Sequence, residues 1–269
     1  MVRTAKPWLT PTPRRRSLAD VVDTGVGRTR PEEPAANVGI GHEHPDVTGG
    51  WLRPAVFGAM DGLVSNFALI AGVVGGTAAS STQPVVLAGF AGMAAGAFSM
   101  AAGEYTSVAS QSEFARQQVG LERAEILANS DAEQAELAAM YVDKGVEPGV
   151  AREVAAQVHR NVDNAVRVHA REEFGIDPDD LASPAVAAVS SFLAFAVGAI
   201  LPLLPYLLGA SQLWPAVVLS LVGLFGCGAM VTRITDRSWW YGGVRQLLLG
   251  GAAAALTYAV GTAAGASLG

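Results

Sequence analysis

Two acids, Asp61 and Glu104, bracket residues 62–103, which hold no charged side chain at all. That stretch is long enough for two membrane crossings of about 20 residues each. The first crossing then begins with a carboxylate at or inside the bilayer, and the second ends on one. Ionisable groups in such places are costly and mark ion or proton paths. Met93, Met100 and Glu104 follow one another at i, i+7 and i+11, on one face of a helix. A thioether and a carboxylate on one stripe suit a borderline metal: oxygen favours Mg, Ca or Mn, and sulfur shifts preference to softer ions. Asp61 lies about half a dozen residues inside the first apolar run. A single carboxylate there can exchange a proton for a metal cation, which is the chemistry of an antiporter.

A second set of ligand types follows. Glu122 and Glu125 are three apart and share a helix face, and Glu133 and Glu136 repeat the spacing. A short link between antiparallel helices brings the two pairs together. His169 and Glu173, four apart on a later helix, close the cage. Four or five converging carboxylates repel unless cations lie between them, and calcium or magnesium also accepts such ligands. Glu113, Glu147 and Glu153 lack partners of this kind and read as surface charges. His159 reads as a helix surface residue, and His42-Glu43-His44 with Asp46 as a weak candidate in a floppy segment.

The elements that must position these groups follow from composition. Charged residues are 16% of the 269, against about 25% in a soluble domain. Residues 181–232 and 246–269 are also free of charge, which makes room for three further spans. Residues 104–180 hold sixteen of the 24 acids and only seven of the 18 bases. The expected fold is therefore an all-α membrane protein. It has five transmembrane helices and a cytoplasmic three-helix metal-binding insert between spans two and three. Residues 1–48, rich in Pro, Arg and Gly, read as a disordered tail without a signal-peptide core. Residues 49–105 carry spans one and two, 106–180 the acidic insert, and 181–269 spans three to five.

The spans are expected near 54–76, 84–105, 184–208, 215–231 and 246–269. Pro202 and Pro205 should kink the third or end it early. The second is expected to run straight out of the membrane to about 128. Ser130 with Glu133 fits a capping box for the next helix, which Gly145 stops. A third insert helix runs from Pro148 to about Phe174, with Val150, Val154, Val158, Val162 and Val166 as its packing face. Arg14, Arg15, Arg16 and Arg53 precede span one, and Arg233, Arg237 and Arg245 lie between spans four and five. The positive-inside rule then puts the N-terminus and the insert in the cytoplasm and the C-terminus outside.

Several classes are excluded. An acidic insert does not fit nucleic acid. No Gly-rich loop ends in Gly-Lys-Ser/Thr, so ATP-driven pumping has no support. No Ser/His/Asp arrangement points to an enzyme, and nothing calls for a prosthetic group. The lone Cys227 permits no disulfide and reads as a core residue. Glycines four apart (Gly58 and Gly62, Gly72 and Gly76, Gly92 and Gly96, Gly261 and Gly265) let helices approach closely. Five spans are few for a complete path, so these glycines point to a homodimer with the path at the subunit interface.

Asp61-Gly62-Leu63-Val64-Ser65-Asn66-Phe67 and the run from Ser99 through Glu104 to Glu113 resemble the vacuolar iron transporter family. Pro202-Leu203-Leu204-Pro205 is similar as well, and the resemblance covers about 51–269. It implies a five-span homodimer exchanging protons for ferrous iron, with manganese or other divalent ions accepted. It implies a path through Asp61 and Met100 and a glutamate domain of Glu122, Glu125, Glu133, Glu136 and Glu173. Plant members carry methionines where this chain has His169-Ala170. They also have a further acid one or two turns before Met100, where this chain has Gly92, Met93 and Gly96; Glu104 can take over part of that role. The Ala/Gly/Arg-rich composition resembles that of bacteria and implies a plasma-membrane exporter. The expected function is proton-coupled export of iron or manganese. Its rivals are a membrane-anchored metal-binding or sensing protein without transport and a scaffold whose acidic helices dock a protein.

Overall fold

A computed structural model of the protein describes residues 50–77, 82–234 and 237–268, the side chains of 233, 234 and 268 excepted. The expectations for 1–48, including His42, Glu43, His44 and Asp46, lie outside the described residues. Among those described the chain is all helical, with no strand. The helices are α1 (Leu52–Gly76), α2 (Gln83–Ala128), α3 (Ser130–Asp143), α4 (Pro148–Val158), α5 (Val162–Glu173), α6 (Pro184–Leu207), α7 (Trp214–Ile234) and α8 (Trp239–Leu268). α1, α2, α6, α7 and α8 are long and apolar enough to cross a membrane.

α2 is 46 residues long, about 69 Å at 1.5 Å per residue. A bilayer core is about 30 Å thick, so its charged second half projects well beyond the span, as expected. α6 matches the expected span: it contains Pro202 and Pro205 and continues to Leu207, so the prolines do not end it early. Both prolines are buried, and the neighbouring Leu203 packs with Ile70 and Val85. Tertiary packing therefore holds a helix that proline alone would weaken. α8 begins earlier than expected, at Trp239. Trp239 and Trp240 stack edge-on against Phe225 of α7, the amphipathic aromatics found where spans meet water.

α1 is the centre of the membrane bundle and packs on α6, α8, α2 and α7. Leu63, Phe67 and Ala71 meet Leu224 and Ala254, while Ala97, Phe195 and Ala199 join α2 to α6. Glycines permit this closeness. A Cβ on Gly58 would lie 2.6 Å from the Ser191 carbonyl oxygen, and one on Gly261 would collide with that of Gly72. The expected link between these glycines and a homodimer is thus corrected: Gly58 and Gly62 face α6, while Gly72 and Gly76 face α8, all within one chain. Gly261→Leu should separate α1 from α8. Loss of the monodisperse peak on fluorescence-detected size exclusion is the expected result, against an unchanged profile for Gly251→Leu, where a Cβ would lie 4.0 Å from the nearest atom, on Leu221.

The insert differs from expectation in two places. Ser130 is the first residue of α3 rather than its cap, and no side chain caps this end. The Asn129 carbonyl accepts from the Ala132 and Glu133 amides instead, which leaves the Glu133 carboxyl for other contacts. The expected third helix is two, α4 and α5, because the Asn161 side chain caps a fresh helix by accepting from the Asn164 amide. Five valines four apart drift by about 40° per step, so they cannot share one face. Val150 and Val154 are exposed, and Ala151, Ala155, Ala165 and Val166 form the buried face.

Candidate metal centre

Ala115, Val119, Glu122 and Ile126 follow one another at helical spacing on α2. Val162, Ala165, Val166 and His169 do so on α5. Ile126, Ala165 and Val166 pack together with Val119 and Val162 against them. Glu122 and His169 thus occupy the apolar stripes that join the two helices. Glu122 is 2% exposed and His169 not at all. Their Oε1 and Nδ1 atoms lie 2.8 Å apart without hydrogen-bond alignment, and neither imidazole nitrogen has a partner. Buried polar groups are nearly always satisfied, so this pair calls for a ligand. Glu173, four residues beyond His169, adds a carboxylate; one ligand atom from each of the three residues lies within 4.8 Å of the others.

The remaining glutamates come close enough to act electrostatically. The Glu122 carboxyl is pushed up to about 7, first by burial and then by the charges of Glu173, Glu133, Glu125 and Glu136. Burial and the neighbouring carboxylates also raise Glu133 and Glu173. His159 offsets part of this repulsion at Glu133, while four of the insert's bases are engaged with other acids. Among the described residues, Arg123 pairs with Asp163, Lys144 with Glu172, Arg171 with Asp177 and Arg167 with Asp179. Burial, followed by His159, lowers His169 to about 4, so at neutral pH the ring is neutral with a lone pair to donate. Oxygen and imidazole nitrogen together suit borderline divalent ions.

His159, read from sequence as a surface residue, is half-buried with its ring 5.1 Å from that of His169. Its Nδ1–H donates to the Ala155 carbonyl at 2.9 Å, and Nε2 is buried and unpartnered. The break between α4 and α5 places it there, and a single unbroken helix hid that placement. Glu147 caps α4 by accepting from the amides of Gly149 and Val150 at 3.0 and 3.1 Å, which holds its carboxyl below the usual range.

A metal bound at this candidate site would have to displace the proton of Glu122, so its affinity is expected to depend on pH. Below about 7, each further unit of acidification should weaken binding by about tenfold for the one proton displaced. Isothermal titration of the intact protein with Mn2+ between pH 6 and 8 measures this slope.

The membrane part holds a cavity of about 370 Å3 walled by α1, α2 and α6. Asp61, Ser65, Asn66, Ser99 and Met100 supply its polar and sulfur atoms, with Gly92, Gly96, Leu69 and Phe195 beside them. Asp61 is the tenth residue of α1, about 14 Å along the helix, and is exposed on the surface of the protomer. Met100 also touches the apolar cluster of Ala97, Phe195 and Ala199; Met93 packs on that cluster and lies outside the cavity lining, as does Glu104. Glu104 is half-buried one turn beyond Met100, toward the insert. Asn66 was missed as a site residue by the sequence reading. It is 2% exposed, and an asparagine at a core position of an apolar span was the available signal.

The VIT family model matches residues 52–262. The vacuolar iron transporter of Acanthamoeba castellanii is 35% identical over 269 residues, covering 94% of this chain and 90% of its own. Vacuolar iron transporter 1 of rice is 31% identical over 228 residues, covering 82% and 90%. Vacuolar iron transporter 1 of Arabidopsis thaliana is 32% identical over 188 residues, covering 68% and 74%. With a family match across the whole bundle and the insert, and relatives aligned over most of their own length, this chain belongs to the VIT family.

Proposed function

We propose that this protein is a proton-coupled transporter that moves divalent metal, ferrous iron first and manganese second, out of the cytoplasm. The observation that carries the reading is Asp61, an acid well inside an apolar span and on the wall of a cavity shared with Met100. Relatives named as iron transporters support iron as cargo. Glu122, Glu125, Glu133, Glu136, His169 and Glu173 gather the ion on the cytoplasmic side. It then passes Glu104 and Met100 to Asp61, which returns a proton. The distribution of arginines supports a cytoplasmic insert and an external C-terminus, and composition supports a plasma membrane.

A homodimer is part of this proposal. Its support is now the exposure of Asp61 on the isolated protomer, since a carboxylate facing lipid is costly and a second copy would enclose it. Crosslinking in native membranes should give a dimer; monomer alone would remove this element. The test of function is Fe2+ and Mn2+ flux into proteoliposomes with and without a pH gradient. Flux that rises with the gradient supports the proposal. Tight metal binding in a liposome that stays sealed would replace it with the sensing or storage reading.

A further inference from the structure

Asn66 is buried in the centre of α1, and its two amide ends meet different surroundings. Its Nδ2 donates to the Ala199 carbonyl of α6 at 2.6 Å. A carbonyl accepts only from N–H, so this bond fixes which way round the amide lies. Oδ1 must point the other way, toward α2. There it is buried and has no hydrogen-bond partner. The residue opposite is Gly92, where a Cβ would lie 3.2 Å from Oδ1. Gly92 and Asn66 both line the cavity that holds Asp61, Ser65, Ser99 and Met100. An oriented, unpartnered carbonyl oxygen on a residue of the cavity wall is a cation ligand in form, and glycine at 92 leaves no Cβ crowding it.

We propose that Asn66 Oδ1 is a direct ligand of the metal ion in the membrane cavity and helps set its selectivity. The inference rests on the transport reading and adds a residue to it. The donor set becomes one carboxylate, one neutral carboxamide oxygen and one thioether. An uncharged oxygen strengthens coordination without adding a second negative charge, so the ion stays weakly enough held to leave. Oxygen and sulfur together favour first-row transition ions over Mg2+ and Ca2+. The Ala199 bond holds the oxygen in place, so no ordering of the side chain accompanies binding.

Full-length protein in proteoliposomes tests this with Fe2+ (anaerobic), Mn2+ and Mg2+ as the probes. Asn66→Leu keeps the volume and removes the oxygen. Gly92→Ala keeps Asn66 and crowds its oxygen; the methyl also displaces the mobile end of Leu69. Both should raise the KM for Fe2+ by about tenfold or more, the scale expected when a metal's supporting contact is lost. Asn66→Asp, which restores an oxygen with charge, should recover affinity and narrow the preference for Fe2+ over Mg2+. If Asn66→Leu does not fold, Gly92→Ala and Asn66→Asp decide the matter. Wild-type KM and selectivity in the variants that fold overturn the inference and leave the transport reading standing, as does a fall in maximal rate alone. No flux of any ion through wild-type protein overturns both.

Discussion

Asp61→Asn should abolish coupled metal flux while leaving the protein folded and its insert able to bind metal. The substitution preserves shape and removes the one carboxylate on the cavity wall. A carboxamide cannot balance a dication and cannot carry a proton back, so both directions of the exchange fail. The expected loss is about 100-fold or more in flux, corresponding to roughly 3 kcal/mol or more of lost stabilisation of the ion in a low-dielectric cavity. Proteoliposome flux of Fe2+ and Mn2+ under an imposed pH gradient measures it. Binding titrations on the same preparation separate transport from capture. Normal gradient-driven flux in the variant would sink the proposed mechanism. Flux that persists downhill but no longer responds to the gradient would assign Asp61 to proton coupling alone.

Glu122→Gln should have two effects of opposite sign. Metal affinity should fall by about 100-fold, because a buried anionic ligand is lost from the centre of the cluster. The metal-free protein should become more stable. Folding raises the Glu122 carboxyl from its ordinary 4.5 to about 7, so the folded state binds the proton more tightly than the unfolded chain. Its contribution is greatest below 4.5 and declines as pH rises through about 7. Glu133 and Glu173, also raised, lose stability in the same direction. His169 works the other way: lowered from 6.5 to about 4, it adds stability as pH rises across that window. Glu122 and His169 therefore largely offset one another from about 4.5 to 6.5, and the net decline comes above it. At pH 8 the Gln variant is spared a cost on the order of 1–3 kcal/mol. Its apparent melting midpoint without metal should lie a few degrees higher, and the upward shift on adding Mn2+ should shrink. Differential scanning fluorimetry with and without metal reads both. A lower midpoint without metal would mean that Glu122 supports the fold rather than strains it.

Much of this molecule was legible from its residues. Charge-free runs at 62–103, 181–232 and 246–269 demand a bilayer, because apolar length without charge has no other stable setting. Five long apolar helices and the straight exit of α2 followed from that. The glutamate pairs were visible as spacing on a helix face, since i and i+3 neighbours depend only on helical geometry.

Tertiary structure decided what local pattern leaves open. Spacing could not distinguish Glu122, on the buried stripe with Val119 and Ile126, from Glu125 one turn away on the exposed side. Burial depends on which face meets α5, and burial is what raises its carboxyl. The Asn161 cap broke an apparently continuous helix and turned His159 against His169. Glycine spacing announced close packing without naming the partner, and the partners are α1, α6 and α8 of the same chain. Asn66 became a site residue only when Ala199, 133 positions away, fixed its amide and left its oxygen buried beside Gly92 without a partner. Helical period and hydrophobicity are short-range properties carried by the sequence itself. The orientation of one amide and the desolvation of one carboxylate are set by neighbours that only the folded chain brings together.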